Sequence, residues 1–193
     1  MVKKNNKDVL IRVATKLFSE NGYANTSIRD IGKAANVHPS LIYHHFKNKE
    51  EIVFTITEDI SKYFLRSLEE IQSSGTDPVE TLKQMILRHI EIMNKHRNAT
   101  KIVLDDYVLR KVAPQKEVTS IISKIQSLYL EQLEKLEQLN MLRQSNLPLN
   151  MFSILGALNW YLNSGKQIIS MNIDAETAIN HVVDSLFSGI LTK

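Results

Sequence analysis

His38, Ser40, Leu41, Tyr43 and His44 crowd into seven residues and make up the outer face of one short helical stretch. Imidazole, hydroxyl and phenol groups hydrogen-bond phosphate oxygens and base edges, and a leucine packs on thymine methyls, so the set suits contact with nucleic acid. The three histidines His38, His44 and His45 also invite a metal reading. His44 and His45 are neighbours that project about 100° apart on a helix, and no cysteine or carboxylate completes a ligand set. Groove contact is the better reading, and no metal is expected. His89 and His96, seven apart on a fifth helix, share a face and can line a pocket, although a satisfied or solvent-facing histidine is the ordinary case. Asp105 and Asp106 are adjacent and cannot converge on one substrate atom. There is no glycine-rich phosphate loop, no nucleophile elbow and no cysteine, which excludes disulfides, thiolate metal sites and thiol catalysis. Neither an enzyme nor a cofactor is expected.

Residues that read a groove need a scaffold that presents one short helix. Between Ser27 and Phe46, Ile31, Ala35, Val37 and Ile42 are placed to pack two short helices together, Gly32 and Ala34 to keep them close, and Asn36 to take a left-handed turn. A first helix from about Asn6 to Asn21 carries Leu10, Val13, Ala14, Leu17 and Phe18 at i, i+3, i+4, i+7, i+8 spacing and stops at Gly22. Thr26 or Ser27 caps the second helix, and the third covers about His38 to His45 with Pro39 in its first turn. A long fourth helix is expected from near Asn48 to Gln72. Asp77-Pro78-Val79-Glu80 opens a fifth, to Lys95, with a capping box. Further helices are expected over about 98–111, from Pro114 to Asn140, from Pro148 to Ser170, and from a cap at Asp174 along a stripe containing Leu186 and Phe187. The fold class is all-α with nine helices.

The charge is divided unevenly. Residues 1–49 carry nine Lys/Arg and three Asp/Glu, whereas the other 144 carry fifteen and eighteen. A basic head on a mildly acidic body points to a polyanionic partner. No apolar run reaches the ~18 residues of a membrane span, and no apolar stretch of secretory length follows the basic N-terminus, so a soluble, cytoplasmic protein is expected.

The series Leu17-Phe18, Asn21-Gly22-Tyr23, Thr26-Ser27-Ile28-Arg29-Asp30-Ile31, Ala34-Ala35-Asn36-Val37 and Ile42-Tyr43-His44-His45-Phe46-Lys47-Asn48-Lys49-Glu50 resembles the N-terminal signature of the tetracycline-repressor (TetR) family over about residues 7–53. One departure is Pro39-Ser40, where the family often has Lys-Gly. The resemblance implies a helix-turn-helix domain at residues 1–50, its motif at about 27–46, and a helical effector-binding and dimerisation domain at 51–193. It implies that Thr26, Ser27 and Arg29 touch phosphates from the start of the second helix, and that His38, Ser40, Leu41 and His44 face the groove. Tyr43 and Lys49 would bind phosphates, Lys49 from the start of the fourth helix. The implied partner is a pseudo-palindromic DNA operator, bound by a homodimer that acts as a transcriptional regulator, most often a repressor.

The stretch from Met151 to Leu162 is apolar nearly all the way round and needs cover on more than one side. A dimer seam is therefore expected at Gly156 and Ala157, flanked by Leu186 and Phe187. Leu158-Asn159-Trp160-Tyr161 and the chain's end resemble TetR-family regulators that answer to acyl-CoA thioesters, which ranks an acyl-CoA-like effector first. His89, Tyr107 and Trp160 are the expected pocket residues. A second hypothesis keeps the DNA-binding head without a sensor, as an architectural or chromosome-organising protein, and effector-induced release of DNA separates the two.

Overall fold

The computed structural model describes residues 6–192 apart from 76, 106–107 and 109–115. Among the described residues there are nine α-helices: α1 Asn6–Asn21, α2 Ile28–Ala35, α3 Pro39–His45, α4 Lys49–Ser74, α5 Pro78–Lys95, α6 Arg97–Val103, α7 Lys116–Gln138, α8 Leu147–Ser170 and α9 Ala175–Ile190. The only extended pairing described is an isolated antiparallel bridge between Leu142 and Leu191. None of the described helices is long and apolar enough to cross a membrane. The sixth helix stops at Val103 and does not run on to about Lys111, while the expected Pro114 start of the seventh lies outside the described residues.

The chain forms two compact units, one of residues 1–63 with 96–121, the other of residues 64–95 with 122–193. In the first, α1 turns Leu10, Ala14 and Phe18 into a core shared with Tyr23, Ile31, Ile42, Phe46, Ile52, Val53 and Ile56. Gly22, at φ 82°, ends α1, its N–H reaching back to the Phe18 carbonyl at 3.0 Å. Asn36 ends α2 in the left-handed region at φ 54°, a conformation an asparagine tolerates better than most residues. Val37 then donates to the Gly32 carbonyl at 2.9 Å. A Cβ at Gly32 would stand 3.0 Å from the Val37 carbonyl oxygen, so this glycine lets the turn close on α2. Ala34 does not share that duty. It is exposed in the last turn of α2.

In the second unit, α5 buries Leu82, Met85, Ile86, His89, Ile90 and Met93, and it packs with α8 and α9. Asp77 Oδ2 accepts the Glu80 N–H at 2.8 Å and caps α5 as the sequence implies. The chain's end is pinned by two backbone bonds, Arg143 N–H to the Ile190 carbonyl and Thr192 N–H to the Met141 carbonyl, both 2.9 Å. His89 sits inside this core, its ring centroid 4.7 Å from that of Phe64. Its Nδ1 lies 3.0 Å from the Tyr129 hydroxyl, which donates to the Met85 carbonyl at 3.4 Å. Burial holds the imidazole neutral and pulls its pKa down to about 4, and it pushes the Tyr129 phenol upward.

That depression has a definite sign. Below its ordinary value of 6.5 the imidazole takes up a proton in the unfolded chain but not in the folded one, so stability falls between there and about pH 4. The loss from this group between pH 7 and pH 5 is about 2 kcal/mol. Urea unfolding at both pH values should show the difference, and His89→Leu should remove about that much of it. An equal pH dependence in the variant would contradict a neutral, buried His89.

Candidate nucleic-acid interface

The start of α2 is built by local bonds. Ser27 Oγ accepts the Asp30 N–H at 3.2 Å, and the Ser27 N–H donates to Asp30 Oδ2 at 2.8 Å, a complete capping box. The Ser27 hydroxyl donates to the same carboxylate oxygen at 2.6 Å. Those bonds from Ser27 hold the Asp30 carboxyl below the usual aspartate range. Ser27 and Arg29 are both exposed.

His38 caps α3. Its Nδ1 accepts the Ser40 N–H at 3.3 Å and lies 2.9 Å from the Ser40 hydroxyl, while Pro39 takes the first turn, where its missing N–H costs nothing. This cap uses one ring nitrogen of His38. The helix turns Ile42 fully into the core and leaves Tyr43 57% exposed. His38, Ser40 and His44 are exposed too, with Leu41 half-buried beside them. The structure thus brings together on one outward surface five of the residues singled out from the sequence. Among the described residues, no group of three or more His, Asp or Glu side chains is placed to hold a metal ion.

Two side chains expected at phosphates are engaged elsewhere. Thr26 is 1% exposed, and its hydroxyl donates to the carbonyls of Gly22 at 2.9 Å and Leu17 at 3.3 Å. It ties the α1–α2 turn and is corrected from a phosphate ligand to a structural residue. Lys49, in the first turn of α4, sends its ammonium to the carbonyls of Tyr23 at 2.8 Å and Thr26 at 3.0 Å, and over the Tyr23 ring at 4.1 Å. The Tyr23 hydroxyl donates to Glu50 Oε1 at 2.8 Å, which holds the Glu50 carboxyl below its usual range. Lys49 therefore straps α4 to the turn, with one N–H beyond those two bonds. The parts played by Tyr23 and Glu50 were not drawn from the sequence. The one available signal is that both belong to the series resembling the family signature.

The residues expected at a pocket are dispersed. His89 is enclosed by Phe64 and Tyr129, and Trp160 is 59% exposed on α8. Tyr107 lies outside the described residues. His96 does not share a helix with His89, because α5 ends at Lys95 and His96 stands at the start of α6. At the expected seam, Gly156 is exposed, with nothing within 4 Å of an added Cβ, while Ala157, Leu186 and Phe187 are half-buried.

Residues 10–56 match the family described as bacterial regulatory proteins, tetR family. The chain is 29% identical to the transcriptional repressor KstR2 of Mycolicibacterium smegmatis over 104 residues, 54% of this chain and 50% of that one. It is 37% identical to the transcriptional regulator TcmR of Streptomyces glaucescens over 76 residues, 39% of this chain and 33% of the relative. The matched segments thus span half or less of these relatives' length. Among solved structures, the TetR-family regulator PfmR of Thermus thermophilus superposes with a TM-score of 0.83 at 22% identity over all of both chains. The regulator FadR of Bacillus subtilis, in complex with stearoyl-CoA, superposes at 0.72 and 22% identity, covering 95% of this chain and 98% of that one. At such identities the likeness establishes the fold.

The Lys49 strap should be measurable without any nucleic acid. Lys49→Ala removes two charge-assisted hydrogen bonds and a cation–π contact and should cost about 1–3 kcal/mol. Thermal unfolding should show a lower midpoint, and an unchanged midpoint would mean that the ammonium does not hold α4 to the turn.

Proposed function

We propose that this chain, whose residues 10–56 match the tetR family of bacterial regulatory proteins, is a DNA-binding transcriptional regulator of that family, most simply a repressor released from its operator by a small molecule. It acts as a homodimer whose two α3 helices enter major grooves about one DNA turn, ~34–36 Å, apart on a pseudo-palindromic site. The observation that carries this reading is the outer face of α3, where Tyr43, His38, Ser40 and His44 stand exposed above a fully buried Ile42. Exposed polar and aromatic groups on a helix rigidly seated from behind are suited to a groove. Ser27 and Arg29 at the start of α2 then meet phosphate, as does Tyr43, while His38, Ser40, Leu41 and His44 meet bases. Lys49 reaches phosphate only through the N–H that its two carbonyls leave over.

The dimer seam falls on α8 and α9. Leu149, Phe152, Gly156 and Trp160 recur every three or four residues along α8 and are all exposed, so they form one apolar stripe. A stripe of this kind needs a cover. Leu186 and Phe187 of α9 contribute the flank. For the effector, an acyl-CoA-like ligand is favoured by the Leu158-Asn159-Trp160-Tyr161 resemblance and by the fold shared with FadR bound to stearoyl-CoA. Trp160 then reports on the seam more directly than on a pocket. The deciding experiment is a titration of fatty acyl-CoAs against the operator-bound protein, following release of DNA. Release by an unrelated planar drug and by no acyl thioester would replace the acyl reading with a drug-sensing one.

In operator titrations by fluorescence anisotropy, Tyr43→Ala should weaken all sites alike. Arg29→Ala should in addition lower the salt slope by about one unit. Substitutions at His38 and Leu41 should instead change which sites are preferred, by about 1–3 kcal/mol per altered base contact. Undiminished affinity in a Tyr43→Ala, Arg29→Ala double variant would refute the assignment of α3 and α2.

For the seam, Gly156→Glu is the informative change, because within one chain the new side chain meets open space. Sedimentation should show a dimer in the native protein and a folded monomer in the variant, since an unpaired charge would be buried between partners. A native monomer at micromolar concentration, or a variant that still dimerises, would place the interface elsewhere.

A further inference from the structure

In the first unit, α1, α4 and α6 enclose a cleft of about 190 Å3 between Ile11, Ile56, Asp59, Tyr63, His96 and Ala99. Its walls are aliphatic, and its polar groups are few and convergent. The Tyr63 and His96 rings meet edge-to-face, with centroids 5.2 Å apart at 68°. The Tyr63 hydroxyl makes no hydrogen bond among the described residues, and neither does the Asp59 carboxylate. The nearest candidate cation on α4, Lys62, is taken by Glu58 at 2.8 Å. Partial burial, with Glu58 adding to it, raises the Asp59 carboxyl above the usual aspartate value despite Lys62 and Lys7. Its negative charge is thus under-compensated where it borders the cleft.

A carboxylate, aromatic faces and an aliphatic floor are the elements that recognise an organic cation. We propose that this cleft binds a small organic cation, an amine or quaternary ammonium on a short aromatic or aliphatic body. The volume lies below the ~300–1,000 Å3 of sites for drug-sized ligands, which limits the ligand to a small one. Asp59 and Glu58 repel a carboxylate or phosphate, so the site is chemically distinct from one for an acyl-CoA. The cleft also touches the recognition head through α1. Ile11 lines it, while the neighbouring Leu10, with Ala14 and Phe18, packs in the core that seats Ile31 and Ile42. A cation spanning α1, α4 and α6 therefore stiffens the core behind α3.

The test is a titration of the full-length protein with benzyltrimethylammonium, followed by amide chemical shifts, with benzyl alcohol as the uncharged counterpart. Saturable shifts at Ile11, Thr15 and Ala99 are expected with the cation and not with the alcohol. Asp59→Asn should weaken binding about fivefold or more, and Ala99→Leu should block it by filling the cleft. Helical circular dichroism checks that both variants fold. Shifts that do not saturate, that fall only outside the first unit, or that persist at equal affinity in Asp59→Asn would overturn the proposal. Because the readout is the protein's own amides, the outcome is independent of whether the chain binds an operator.

Discussion

What α3 can present depends on how closely the turn behind it approaches α2. The Val37 carbonyl oxygen comes within 3.0 Å of where a Cβ of Gly32 would stand, and Ile31 and Ile42 are both sealed from solvent. Two isoleucines and one missing side chain set the crossing of the helices. Tightly packed interiors respond to a single methyl group, so the geometry is stiff where it needs to be. The exposed face of α3 inherits that stiffness, although none of its side chains takes part in the packing.

The same head shows how polar groups serve the frame rather than the surface. Thr26 and Lys49 are hydrogen-bond donors inside the segment that matches the family, yet their protons go to the chain's own carbonyls between the end of α1 and the start of α2. Carbonyls in the turn beyond a helix C-terminus have no intrahelical partner, and an unmade bond there is costly when water is excluded. Tyr23 joins the arrangement through its ring beneath the Lys49 ammonium and its hydroxyl on Glu50. α4 thus begins from a fixed point, and the side chains left outside are Ser27, Arg29 and the face of α3.

Histidines illustrate how far spacing alone reaches. His38 is exposed and caps a helix, His89 is buried and neutral against Tyr129, and His96 borders a cleft beside Tyr63. The interval of seven between His89 and His96 would put both on one helix face, but α5 stops at Lys95, between them. Periodicity orders residues around an axis. It does not say where the axis ends when the stop lacks a glycine or proline.

Local signals were legible from the sequence because their physics is local. Asp77, Asp174 and Ser27 each bond an N–H three residues on, Gly22 and Asn36 take up the left-handed turns, and the apolar intervals of α1 put Leu10, Ala14 and Phe18 inward. These determined the helices, their order and the outward face of α3. Tertiary structure decided which polar groups were spent before any partner arrives. Lys49 reaches a carbonyl twenty-six residues back, His89 meets a phenol forty residues on, and Ala34 falls outside a packing that Gly32 alone makes possible. Such contacts depend on how helices cross, and a crossing is fixed by the joint packing of distant segments, which no interval within one segment records.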